Sequence, residues 1–147
     1  IKRRAMRQKL TVVTLGAVDW QKSVDFYEKG LGWKRSSASQ GDLALFSLGS
    51  FALAIYPKKA LAEDACVPDA PSGGFSGVTL ALNAKSEAEV DEIFREAANA
   101  GAQIVKPPQK VFWGGYSGYF KDSEGRLFEV AYNPYWKLSD DGGLELP

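Results

Sequence analysis

Apolar residues recur along this chain with two different periods, and the switches between them predict its elements. Alternation with period two marks strands at Leu10–Val18, Trp33–Ser37, Leu43–Leu48 and Phe51–Tyr56. The same alternation returns at Gly77–Asn83, Gln103–Val105, Gly118–Lys121 and Leu127–Tyr132. Pro107-Pro108 cannot donate to a ladder, so the third-last strand, with Lys110–Phe112 beyond the prolines, is expected to lie at a sheet edge or to break there. Helical spacing appears twice. Trp20, Val24, Tyr27 and Leu31 form one stripe, with Asp19 as N-cap and Gly30–Gly32 as the stop. Val90, Ile93, Phe94, Ala97 and Ala98 form the other, opened by a Ser86–Glu89 capping box and closed by Gly101.

The pattern is written twice. Val13-Thr14-Leu15 returns as Val78-Thr79-Leu80, and each copy runs strand, helix, then three strands. The expected fold is α+β: two tandem βαβββ modules forming a curved mixed sheet around a concave cup. The expected divisions are a basic N-terminal extension at 1–9, modules at 10–57 and 76–132, a linker at 58–75 with one helical turn at Ala60–Asp64, and a tail at 133–147, all one structural domain. Period two assigns the faces. Val13, Leu15, Val78, Leu80, Leu82, Phe128 and Val130 turn to the helices, while Val12, Thr14, Gly16, Gly77, Thr79, Ala81 and Glu129 face the cup. Small residues there leave volume for a ligand.

Composition changes this picture mainly by what it removes. No histidine occurs among the 147 residues, which excludes His-dependent nucleophile systems and His-ligated zinc or iron sites. Cys66 stands alone, so no internal disulfide forms, in keeping with a reducing cytoplasm. The net charge is zero, from 18 basic and 18 acidic residues. Lys2, Arg3, Arg4, Arg7 and Lys9 crowd the start without interleaved aromatics, so a solvated terminus is expected rather than a nucleic-acid or membrane arm. Met6 is the expected natural start, with residues 1–5 foreign to it. No apolar run reaches the roughly 20 residues that span a bilayer.

Glu129 is the candidate catalytic group. Burial in the cup would raise its pKa and suit it to general acid or base work; the competing reading is an acid held by a tyrosine hydroxyl or an indole N–H. Trp113, Tyr116 and Tyr119, in a glycine-rich stretch with Phe112 and Phe120, are candidate ligand contacts. Phe120 reads as core. Tyr56 is a candidate donor at the cup wall, with Thr14 and Thr79 on its floor. The aromatic tail Tyr132–Trp136 is expected to pack on the body or a partner, and Asp140-Asp141-Gly142-Gly143 to be loosely held.

The paired βαβββ plan, the opening Val12-Val13-Thr14-Leu15, Asp19, Ser23, Phe26-Tyr27, Leu31-Gly32 and the ending Asp122-Ser123-Glu124-Gly125-Arg126-Leu127-Phe128-Glu129 resemble the vicinal oxygen chelate superfamily. This is the glyoxalase, bleomycin-resistance and extradiol-dioxygenase group. The stretch Val111–Phe120 resembles members described only as glyoxalase family proteins. Carried over, the superfamily's metal positions fall at or beside Val12, at Ser76 or Gly77, at Ala54 or Leu53, and at Glu129. One carboxylate is not a divalent-metal site, so no metal and no cofactor are expected. The resemblance implies a homodimer that binds a small, aromatic or apolar molecule, as the bleomycin-resistance branch does. A metal-independent lyase or isomerase with Glu129 as base, and a subunit-interaction module with a vestigial cup, stay open beside it.

Overall fold

The computed structural model describes residues 6, 8–71 and 73–146. The expectations for residues 1–5 and Arg7 lie outside the described residues, as does the basic arm that they make up. Nine strands and three α-helices are assigned among the described residues. The first module holds β1 (Val12–Ala17), α1 (Trp20–Asp25), β2 (Ala44–Ser47) and β3 (Ala52–Pro57). Helix α2 (Lys58–Asp64) follows, longer than the single turn expected. The second module holds β4 (Leu80–Ala84), α3 (Glu87–Asn99), β5 (Gln103–Lys110), β6 (Tyr116–Lys121) and β7 (Leu127–Tyr132).

Both modules follow one plan, with the first strand lying parallel to the last. The first sheet runs β1-β3-β2 and the second β4-β7-β6-β5. They are two mixed sheets rather than one, since no described strand of either pairs with the other. Trp33–Ser37 does not form the expected strand and touches β2 through a single bridge, Arg35 to Phe46. Strand β5 does run on through Pro107-Pro108, because it is an edge strand and shifts register twice there.

Helix α3 forms one half of its expected capping box, with Ser86 Oγ accepting the Glu89 N–H at 3.0 Å, while Glu89 reaches back one residue beyond the N-cap to accept the Lys85 N–H. Its buried stripe is Val90, Phe94 and Ala97, with Ala98 exposed at the rim instead of buried. Asp19 caps α1 through the Lys22 N–H. That helix then widens into a π turn over Phe26–Gly30, where the Leu31 N–H reaches back to the Phe26 carbonyl. Ser23, Val24, Phe26 and Tyr27 make one buried stripe that runs from α1 into this turn.

One core spans both modules. The Tyr27 ring lies 6.1 Å from Phe46 of the first sheet and 6.3 Å from Phe128 of the second, while Phe128 stacks on Phe120 at 5.2 Å. A buried polar lock backs this contact. Asp122 accepts the Tyr27 hydroxyl at 2.6 Å and Arg126 Nη1 at 2.8 Å. Arg126 also donates to Ser23 Oγ and to the Gly16 carbonyl, and the Glu124 carboxylate accepts the Val18 and Asp19 N–H groups. The β6–β7 turn of one module thus holds the start of α1 in the other. The tail is not loose: β8 (Lys137–Leu138) and β9 (Leu144–Glu145) form a hairpin, its turn closed by Ser139 and Asp141.

Candidate functional site

Each sheet has a face turned to the helices and a face left open, and the registers fix which residues share the open ones. In the first sheet Thr14 pairs with Ala54 and Ala54 with Leu45, so Thr14 and Tyr56 share a face of Val12, Gly16, Ala52 and Ala54. Lys58, opening α2, packs against Gly16 so closely that a Cβ there would meet its Cα at 3.1 Å. The linker helix therefore narrows the open face beside Tyr56.

In the second sheet the row Ala81, Glu129, Tyr119 crosses three strands. The Tyr119 hydroxyl donates to Glu129 Oε2 at 3.2 Å, and both side chains are partly buried. Burial, and then the Glu129 charge beside it, push the Tyr119 hydroxyl above its ordinary value, so it stays a donor through neutral pH. Thr79 lies two residues before Ala81, exposed and just ahead of β4.

Two expected contacts are placed elsewhere. Tyr116 has the parity of Gly118 and Phe120, which turns it to the helix side, where its hydroxyl donates to Asp91 of α3 at 2.7 Å. That hydrogen bond is the main cause of its raised pKa. The alternation of β6 carried this signal, since Tyr116 and Phe120 are four residues apart and Phe120 is core. Trp113 lies in the β5–β6 turn, its ring folded so tightly over Gly115 that a Cβ there would sit 1.8 Å away. Phe112 beside it is fully exposed.

The structure thus brings Tyr119 and Glu129 together, keeps Thr14 and Tyr56 on the other sheet, and turns Tyr116 away. A surface concavity of about 500 Å³ lies elsewhere, between Trp33–Ser37 and Phe46–Leu48, and none of the expected site residues lines it. Among the described residues no three His, Cys, Asp or Glu side chains cluster as metal ligands, and the positions that the resemblance carries over fall at or beside Val12, at Ser76 or Gly77, at Ala54 or Leu53, and at Glu129. These donors do not fit a divalent ion. No helix among the described residues is long and apolar enough to cross a membrane.

The family model described as glyoxalase/bleomycin resistance protein/dioxygenase superfamily matches residues 9–130. A glyoxalase-related enzyme from Fulvimarina pelagi is 31% identical, with a TM-score of 0.85 over 95% of this chain and 99% of its own. A glyoxalase/bleomycin resistance protein/dioxygenase from Nocardioides is 26% identical, with a TM-score of 0.74 over 88% of this chain and 85% of its own. A hypothetical protein from S. aureus is 25% identical, with a TM-score of 0.73 over 88% and 96%. No curated protein matches the chain. The chain belongs to the glyoxalase/bleomycin resistance protein/dioxygenase superfamily.

Proposed function

We propose that this member of the superfamily binds a small, aromatic or apolar molecule against its open sheet faces without a metal. The observation that carries the reading is the donor set. Where the superfamily's ligating side chains are expected, Glu129 is the one carboxylate, and the other positions fall on residues that are small or apolar, with no histidine or acid among them. Such positions give up coordination and leave room instead. Thr14, Tyr56, Thr79, Tyr119 and Glu129 supply the polar and aromatic contacts in this reading; Tyr116, committed to Asp91, and Trp113, folded over Gly115 in the β5–β6 turn, do not.

The reading includes a homodimer, supported by the edges of β1 and β4, each of which pairs on one side within the chain. It places the protein in the cytoplasm, supported by the single cysteine, Cys66, which is free and exposed. A thermal-shift screen with planar aromatics and thiol adducts tests the binding, alongside metal analysis of the purified protein. The expected result is a raised Tm with a subset of aromatics and no stoichiometric transition metal. An empty screen across broad chemistry, or one metal per chain, overturns it.

The Tyr119–Glu129 hydrogen bond favours a second reading, a metal-independent lyase or isomerase. Glu129 would take a proton from carbon beside a substrate carbonyl, and the Tyr119 hydroxyl would then donate to the enolate oxygen instead of to Glu129. Glu129→Gln is expected to keep affinity and lose turnover in that case, and a variant with unchanged turnover removes the reading.

A further inference from the structure

The open face of the second sheet carries more positive charge than its own acid answers. Lys106 continues the row of Ala81, Glu129 and Tyr119 onto β5, and Lys121 stands in the next row between Gln103 and Leu127. The lysines held in described ion pairs are Lys29, Lys58, Lys110 and Lys137. Neither Lys106 nor Lys121 is among them. Two cations then share one sheet face with one carboxylate, in adjacent rows of the ladder.

The placement of Lys106 is built into the backbone. Ile104 pairs with Phe120, so an unshifted ladder would set Val105 opposite Tyr119 and Lys106 opposite Gly118, on the helix side. A register shift sets Lys106 opposite Tyr119 instead, and a second shift follows before Gln109. Gly118 admits the displaced chain: a Cβ there would stand 2.4 Å from the Lys106 carbonyl oxygen and 2.9 Å from the Pro108 nitrogen. Bulges of this kind re-aim a side chain. By contrast Lys110, in register with Tyr116, pairs with Glu87 at the start of α3.

We propose that this row is an anion subsite, in which Lys106 and Lys121 take the carboxylate or phosphate group of a small organic anion whose apolar body lies along the row toward the exposed Ala81. Diagonal neighbours on adjacent strands stand about 7–8 Å apart, close enough for two lysine side chains to converge on one anion. Glu129, held by Tyr119, keeps the anion toward β5 and β6 and accepts a hydrogen bond from the remainder of the ligand. The inference rests on the small-molecule reading above and adds a charge to the ligand.

Calorimetric titration of the full chain with benzoate, phenyl phosphate and benzyl alcohol tests it. At low ionic strength at least one of the two anions is expected to bind ten-fold or more tightly than the alcohol, with the gap closing as salt rises. The Lys106→Met/Lys121→Met variant is expected to abolish the gap and leave benzyl alcohol unaffected, while Lys110→Met keeps the gap. Equal affinity for all three probes, or a gap that survives the double variant, overturns the anion subsite and leaves the small-molecule reading standing. No binding of any probe likewise overturns the anion subsite, while the small-molecule reading stands or falls with the broader screen.

Discussion

The first module leaves its sheet where the second stays in it. After α1 the chain meets β2 at Arg35 and then turns away through Ser36–Asp42, and the hydroxyl of Ser39 accepts the Leu45 N–H that a strand would have taken. After α3 the chain instead runs as β5 for eight residues against β6. Small polar residues with Gly41 favour turns over ladders, whereas Ile104 and Val105 favour the pleat. The open faces differ in the same sense. The first is Val12, Thr14, Ala52 and Ala54, and the second is Tyr119, Glu129, Lys106 and Lys121. Duplication kept the frame, and side chains then gave one copy an apolar surface and the other a charged one.

The sharpest way to break this pairing is to remove what joins the copies. The Asp122 side chain is wholly buried and accepts from Tyr27, Arg126 and two backbone N–H groups. Asp122→Ala leaves the Arg126 guanidinium, only 15% exposed, without its counter-charge. The expected loss is about 3–5 kcal/mol, read by denaturant unfolding. A loss below 1 kcal/mol would show that the aromatic contact alone holds the modules together.

Gly118→Ala is expected to cost about 1–3 kcal/mol, because the new methyl meets the Lys106 carbonyl and the Phe94 ring, and backbone at 2.4 Å cannot yield as a side chain can. The same change should shift the β5 amide resonances around Lys106 while leaving those of β2 and β3 in place. Uniform shifts across both sheets would mean that the modules are not separable in this respect.

How much of this was legible in the sequence follows from the range of each interaction. The helix stripes, the capping box and the βαβββ order depend on residues within about ten positions, and periodicity reports them. The break after Arg35 depends on Ser39 capturing a β2 amide, and the burial of the Tyr27 hydroxyl depends on Asp122, 95 residues away. Neither has a local signature. For the candidate site, parity placed Glu129 and Thr14 on open faces, and it would also have turned Tyr116 inward had it been applied along β6. Lys106 was not accessible in that way, since a bulge breaks the parity on which the reading depends.

Tyr27→Phe removes one donor from Asp122 while keeping the ring, so about 1.5 kcal/mol is expected at neutral pH. Burial foremost, and the Asp122 charge next, raise the folded-state pKa of this hydroxyl above its ordinary value of about 10. A raised tyrosine pKa means that the folded protein keeps a proton that the unfolded chain releases. Stability from this source is therefore complete below about pH 10 and falls as pH rises beyond it. The variant should lose that alkaline slope, and an unchanged slope in pH-dependent melting would remove Tyr27 as its source.

The two helix caps offer the finest comparison. Ser86 is one half of a capping box exposed to solvent, and Ser86→Ala is expected to cost about 1 kcal/mol. Asp19 caps α1 through a single contact, the Lys22 N–H, while its own backbone N–H is held by Glu124 from the other module. Asp19→Ala should therefore cost about as much through the cap alone, and it should add to Glu124→Ala less than the sum of the two singles, since both fix the same turn. For Ser86 and Asp19, the caps of α3 and α1 in different modules, the double variant should be additive. Non-additivity in that pair would show that strain passes from the start of α1 into α3, tying the modules more tightly than the Asp122 lock alone requires.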